Sequence, residues 1–148
     1  MPEHLRTKGF SLVEMMVVIA VMGILAAIAT PAFRDMIQNQ RVRNAAAELH
    51  SSLALARSEA LKRNTSVTVS AIDGNWSNGW QIANPALSDA LIESRPAIPE
   101  ITVSGPASVT YRSSGRTQAA SDFTITSGSH TRCLNIDLSG RPSIKSSC

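Results

Sequence analysis

Glu14 is the residue in this chain whose placement most needs a chemical reason. Lys8-Gly9-Phe10-Ser11-Leu12-Val13-Glu14 carries the sequence from a short basic leader into an apolar run, and residues 15–33 then contain no charge. A lone carboxylate at the start of a membrane-length apolar helix is costly and calls for a partner. The other chemistry-bearing side chains are sparse and scattered. His4 lies in the leader, His50 on what reads as the exposed part of a helix, and His130 in a polar loop. With no Gly-x-Ser-x-Gly elbow, no His-Glu-x-x-His and no phosphate loop, the pattern points away from an enzyme and calls for no cofactor or metal. Cys133 and Cys148 are the two cysteines. With one nearby histidine they make a poor zinc set, and an even pair in a body outside the cytoplasm favours a disulfide.

The 19 residues of 15–33 would extend roughly 29 Å as a helix, about the hydrocarbon thickness of a bilayer. Three readings fit this segment. One is a secretory signal peptide, with Arg6 and Lys8 as its basic region and a cut after Ala27-Ile28-Ala29; Glu14 would then interrupt its hydrophobic core. Another is a plain transmembrane anchor, oriented by Arg6 and Lys8, which leaves Glu14 unexplained. The third takes in every feature. The Lys8–Glu14 stretch resembles the class III signal of type IV pilins and type II secretion pseudopilins.

That resemblance implies several things at once. A prepilin peptidase would cut between Gly9 and Phe10, removing residues 1–9, and Phe10 would then be N-methylated. The apolar stretch 10–33 would stay on the mature chain as transmembrane and filament-core helix. Glu14 would serve subunit docking by meeting the N-terminal amine of a neighbouring subunit, so that pairing rewards correct placement. Gly23 and Pro31 fall at places typical of the family, which suggests a stretch able to loosen when subunits pack. The implied location is the bacterial inner membrane, single-pass with a periplasmic body, followed by an extracellular pilus or a periplasmic pseudopilus.

Beyond the apolar run a helical period continues. Val42, Ala45, Ala46, Leu49, Leu53, Ala56 and Ala60 fall on one face, with Arg41, Arg43, Glu48, Glu59 and Lys62 elsewhere. The spacing predicts one helix from about Phe10 to Arg63, its 34–64 part amphipathic. From Thr65 the period becomes two: Val67/Val69/Ala71, Ile101/Val103, Phe123/Ile125 and Leu134/Ile136/Leu138 alternate with polar residues. Asp73-Gly74, Asn78-Gly79, Gly105-Pro106, Ser114-Gly115 and Ser139-Gly140 supply turns. Residues 84–99 hold three prolines and read as a loop with a short strand near Ile92. The predicted class is α+β and pilin-like: a long helix packed on antiparallel strands, with 65–148 as the β-rich domain.

Two stretches resemble the GspH and FimT/FimU group within that family: Trp76-Ser77-Asn78-Gly79-Trp80, as a Trp-x-x-Gly-Trp hairpin turning at Asn-Gly, and Cys133–Arg141, as the last strand with its Gly-Arg turn. Apolar matching in that last hairpin pairs Ile136 with Ile144 and sets Cys133 opposite Ser147, with a bent terminus. The resemblance implies major and minor pilins, or pseudopilins, as partners, together with the peptidase and the membrane. It also raises DNA, since FimT-type pilins are associated with uptake through a basic Gly-Arg-x-Arg motif. Here Gly140-Arg141-Pro142-Ser143 lacks the second arginine, and Lys145 substitutes in part. Residues 105–148 carry five cations against two acids. Arg112, Arg116, Arg132, Arg141 and Lys145 are therefore the candidate phosphate contacts.

Overall fold

The computed structural model describes residues 10–87, 90–146 and 148. The expectations for Arg6, Lys8, Gly9 and His4, and for Ser147 opposite Cys133, lie outside those residues. The chain divides into two compact units, 1–36 and 37–148.

Helix α1 (Leu12–Arg63) has 52 residues. In the first unit Leu12, Val13, Met16, Ile19, Met22, Leu25, Ile28 and Phe33 are all exposed among the described residues. Pro31 lies inside the helix without ending it, although its ring removes one backbone donor. Just before it, the Thr30 hydroxyl donates to the Ala26 carbonyl at 2.7 Å.

In the second unit α1 buries Val42, Ala45, Ala46, Leu49, Leu53, Ala56 and Ala60, the face its spacing predicts, and also Ser52. A buried hydroxyl needs a partner. Ser52 donates to Glu93 Oε2 at 2.6 Å, and the Arg95 guanidinium holds the other oxygen at 2.8 Å.

Two four-stranded antiparallel sheets complete this unit. β1 (Val67–Ala71), β2 (Gly79–Ala83), β3 (Leu91–Pro96) and β5 (Ser108–Tyr111) form one, in the order β3-β2-β1-β5. β4 (Thr102–Ser104), β6 (Ser121–Ser127), β7 (His130–Ile136) and β8 (Pro142–Lys145) form the other, in the order β4-β6-β7-β8. Alternate residues of both sheets (Val67, Val69, Trp80, Ile82, Phe123, Ile125, Leu134 and Ile136) join the helix face in one core. The Trp76 indole links the sheets. It donates to the Pro106 carbonyl at 2.6 Å and meets the Phe123 ring edge-on at 4.8 Å.

The short strand expected near Ile92 is present as the six-residue β3, tolerated beside its prolines because it is an edge strand that ends on Pro96. Three local expectations are corrected. The β1–β2 connection is not a two-residue Asn-Gly turn. It is a pair of short 3-10 turns (Ile72–Gly74 and Trp76–Asn78), with positive φ at Asp73 and Gly74. Gly79 instead opens β2 at φ +105, where a Cβ would collide with the Arg95 carbonyl oxygen. Leu138 leaves the strand and is exposed. In the last hairpin Ile136 pairs with Pro142 and Leu134 with Ile144. That register keeps the predicted facing but slides it by two residues, giving a tighter turn closed by the Gly140 amide on the Asp137 carbonyl at 2.9 Å.

Candidate functional site

Two groups of residues carry the candidate chemistry. The first is the start of α1. Ser11 precedes the helix and its Oγ accepts from the Glu14 amide at 3.4 Å, while the Ser11 carbonyl accepts from Met15 at 3.2 Å. Ser11-x-x-Glu14 has the spacing of a capping box, in which an acid in the first turn also meets the positive end of the helix dipole. This local role was readable from the spacing and went unread. Glu14 stands in the exposed first turn, among apolar side chains that are themselves uncovered.

The second group lies where two turns of the body meet. Residues 112–116 close a turn through the Gly115 amide on the Arg112 carbonyl at 2.8 Å and the Arg112 amide on the Arg116 carbonyl at 2.9 Å. Residues 137–141 close another, in which Asp137 Oδ1 accepts from the Ser139 hydroxyl at 2.5 Å and the Arg141 amide at 3.3 Å. Those bonds, the Ser139 hydroxyl first, hold the Asp137 carboxyl below its ordinary range. A Cβ on Gly140 would collide with the Gly115 carbonyl oxygen, so the two turns touch backbone to backbone. Thr117 Oγ1 donates across to the Asp137 carbonyl at 3.0 Å. Beneath them Arg57 of α1 donates from Nε to the Gly115 carbonyl at 2.9 Å and from Nη2 to the Ser139 carbonyl at 3.2 Å. Tyr111 is fully buried against Gly140, and that burial pushes its phenol pKa up. Arg57 was not anticipated, because at the sequence level it is one more cation beside the apolar face.

The five candidate cations do not form one patch. Arg112, Arg116 and Arg141 are exposed on the two joined turns. Arg132 and Lys145 sit further along the β7–β8 ladder, where Lys145 faces Cys133. Arg132, one residue from Cys133, therefore projects from the opposite face of the sheet. Its guanidinium donates to the Thr131 and Ser146 carbonyls at 3.2 and 3.4 Å.

Cys133 and Cys148 are joined in a disulfide, with Cα atoms 5.3 Å apart. The histidine placements are corrected. His50 is half-buried and its Nε2 donates to the Pro142 carbonyl at 3.2 Å; a carbonyl only accepts, so that nitrogen carries the proton. His130 opens β7 rather than lying in a loop. Among the described residues no group of three His, Cys, Asp or Glu could hold a metal.

Comparison with known proteins places this architecture. The family model for the type II transport protein GspH matches residues 45–140. The model for the prokaryotic N-terminal methylation motif matches residues 5–30. The type IV major alpha-pilin of Moraxella bovis is 52% identical over 42 residues, covering 28% of this chain and 26% of that protein. The chain spans about a quarter to a third of the length of the curated relatives it matches. The type IV minor pilin FimU of Pseudomonas aeruginosa superposes with a TM-score of 0.64 at 22% identity, covering 72% of this chain and 89% of that one. The minor pseudopilin EpsH from the type 2 secretion system of Vibrio cholerae does so with a TM-score of 0.58 at 10% identity, covering 72% and 97%. At such identities the likeness is one of fold. The GspH model, however, takes in well over half of the sequence, including the buried helix face from Ala45 onward and the strands β1 to β7, and so the chain belongs to the GspH family.

Proposed function

We propose that this protein is a minor pilin of a type IV pilus, a structural subunit that primes or caps assembly and reaches the filament by way of the inner membrane. The observation that carries the reading is the contrast within α1. Its 37–63 part is covered by its own sheets, whereas residues 12–33 present an apolar surface on every side with one acid at the start. Such a surface is stable only in lipid or against other apolar helices. In this account residues 1–9 are removed between Gly9 and Phe10 by a prepilin peptidase, and the amine of Phe10 is methylated. Packing of the stalks excludes water, and Glu14 settles each subunit in register by accepting the charge of a neighbour's amine. The role is structural rather than catalytic. A minor pseudopilin of type II secretion would use the same physics in another machine, and genes beside this one separate the two.

The test is Glu14→Ala, followed in membrane and sheared-filament fractions. The variant is expected to be cleaved and membrane-inserted normally but largely missing from filaments. Incorporation at the wild-type level would remove the docking role.

A second reading, reception of duplex DNA, is supported by the convergence of Arg112, Arg116 and Arg141 on joined turns. Three phosphate contacts give a log–log salt slope of about −3. Arg141→Ala should weaken binding and flatten that slope by about one unit, while Lys145→Ala, on the far part of the ladder, should leave both unchanged. Absence of binding at low salt would end this reading.

A further inference from the structure

We infer that Arg57 is the positioning residue that makes the two arginine-bearing turns a single rigid cationic surface. Only its ligand, a phosphate-bearing polyanion, rests on the second reading above.

The argument begins with what each turn needs. Residues 112–116 and 137–141 are separate in sequence and adjoin different sheets, so no strand pairing joins them. Each closes on itself through one or two backbone hydrogen bonds. Among the described residues, the groups between them are the Thr117 hydroxyl, the Tyr111 ring packed on Gly140, the Gly115–Gly140 backbone contact and the Arg57 fork. Of these, Arg57 alone grips a carbonyl of each turn from a third element. It is anchored on α1 at the edge of the buried face, next to Ala56. Two donors on separate nitrogens of one planar guanidinium hold both carbonyls at a fixed spacing relative to the helix, a geometry that the single, freely rotating nitrogen of an ammonium does not impose. Gly115 and Gly140 both have positive φ. The missing Cβ of Gly140 lets its backbone close on the Gly115 carbonyl, while a Cβ on Gly115 would press on the Leu61 side chain of α1.

Arg57 is half-buried and its guanidinium is occupied by the two carbonyls. It therefore supports the surface from beneath, while Arg112, Arg116 and Arg141 face solvent. Their long side chains are free to move, but their Cα positions are not. Holding those origins together spares part of the ordering that a flexible pair of turns would undergo on meeting a polyanion.

The experiment uses the full chain in detergent micelles, with Arg57→Gln, Arg57→Lys and Arg141→Ala. Hydrogen exchange is read at the Gly115 and Gly140 amides and at Val69 in β1; duplex DNA affinity is read at low salt. Loss of a charged fork should speed exchange in both turns about tenfold and leave Val69 unchanged. Affinity should fall by a similar factor in Arg57→Gln. Arg57→Lys keeps the charge yet should show most of both losses, because its single nitrogen does not reproduce the spacing at which Nε and Nη2 hold the two carbonyls. The inference is overturned if Arg57→Lys behaves as wild type, if exchange in the turns is unchanged, or if every body amide speeds up alike. It is overturned too if both turns loosen while DNA affinity stays the same. If the wild type does not bind DNA but Arg57→Gln still loosens both turns together, the clamp stands and the receptor reading falls.

Discussion

Ser11 and Glu14 stand three residues apart, and the Ser11 hydroxyl accepts from the Glu14 backbone amide, so Ser11 caps the helix, and the spacing suits the Glu14 side chain to a capping box at the positive end of the helix dipole as well as to the docking role proposed for it. The two roles separate in Glu14→Gln. That change keeps a side chain able to complete a capping box but removes the charge that would meet an amine. Helix content in micelles, read by circular dichroism, should be unchanged while filament incorporation drops as in Glu14→Ala. Retained incorporation would assign Glu14 to the cap alone. Asp137 permits a second check at this scale. Its folded-state pKa lies below the ordinary 3.8, first through the Ser139 hydroxyl and then through the Arg141 amide. The contribution is therefore complete above the unfolded value and is lost as pH falls through the lowered one. Wild type should melt above Asp137→Asn at pH 6, and the gap should close on acidification below about pH 4. A gap independent of pH would show that the carboxylate charge is not what stabilises the turn.

The helix face was fully legible, because burial on one side of α1 follows a 3.6-residue period and seven apolar residues mark it. Its small alanines let the sheets come close, and Leu49 and Leu53 fill what remains. Leu53→Ala should cost about 2–5 kcal/mol in denaturant unfolding, whereas the same change at exposed Leu61 should cost far less. Ser52 was not legible, since a serine among alanines gives no hint that Glu93, on a strand 41 residues away, will reach it. Strands β1, β4, β6 and β7 showed their period of two. β3 was indicated near Ile92, but its extent was obscured by prolines, which an edge strand accepts and a central strand does not. The last register misled for a different reason. Both pairings keep Ile144 on the apolar side, and the choice between them rests with the Asp137–Arg141 turn rather than with hydrophobic matching. The five candidate cations could be picked out by charge, but the facing of Arg132 against Lys145 depends on strand alternation in that register.

The chain as a whole pairs an exposed apolar helix segment with a body whose core lies entirely within residues 42–136. That body should be self-sufficient. Expressed from Ile37 onward, it is expected to be soluble without detergent and to melt cooperatively, while the full chain needs detergent. Aggregation of the shortened chain would mean that its core depends on the first unit. The disulfide ties the C-terminal residue back to β7 across 15 positions, and Cys148→Ser should lower stability by roughly 3 kcal/mol without changing the fold.

Membership of the GspH family and the fold of the body leave one point on which the functional account turns, namely that the apolar helix is kept on the mature protein. Intact mass spectrometry of the protein purified from membranes and from sheared filaments reads this directly. The account predicts a chain that begins at Phe10 and carries one added methyl group. A chain that begins at Thr30, the start left by cleavage after Ala29, would contradict it, because neither the stalk nor Glu14 would then be present to assemble.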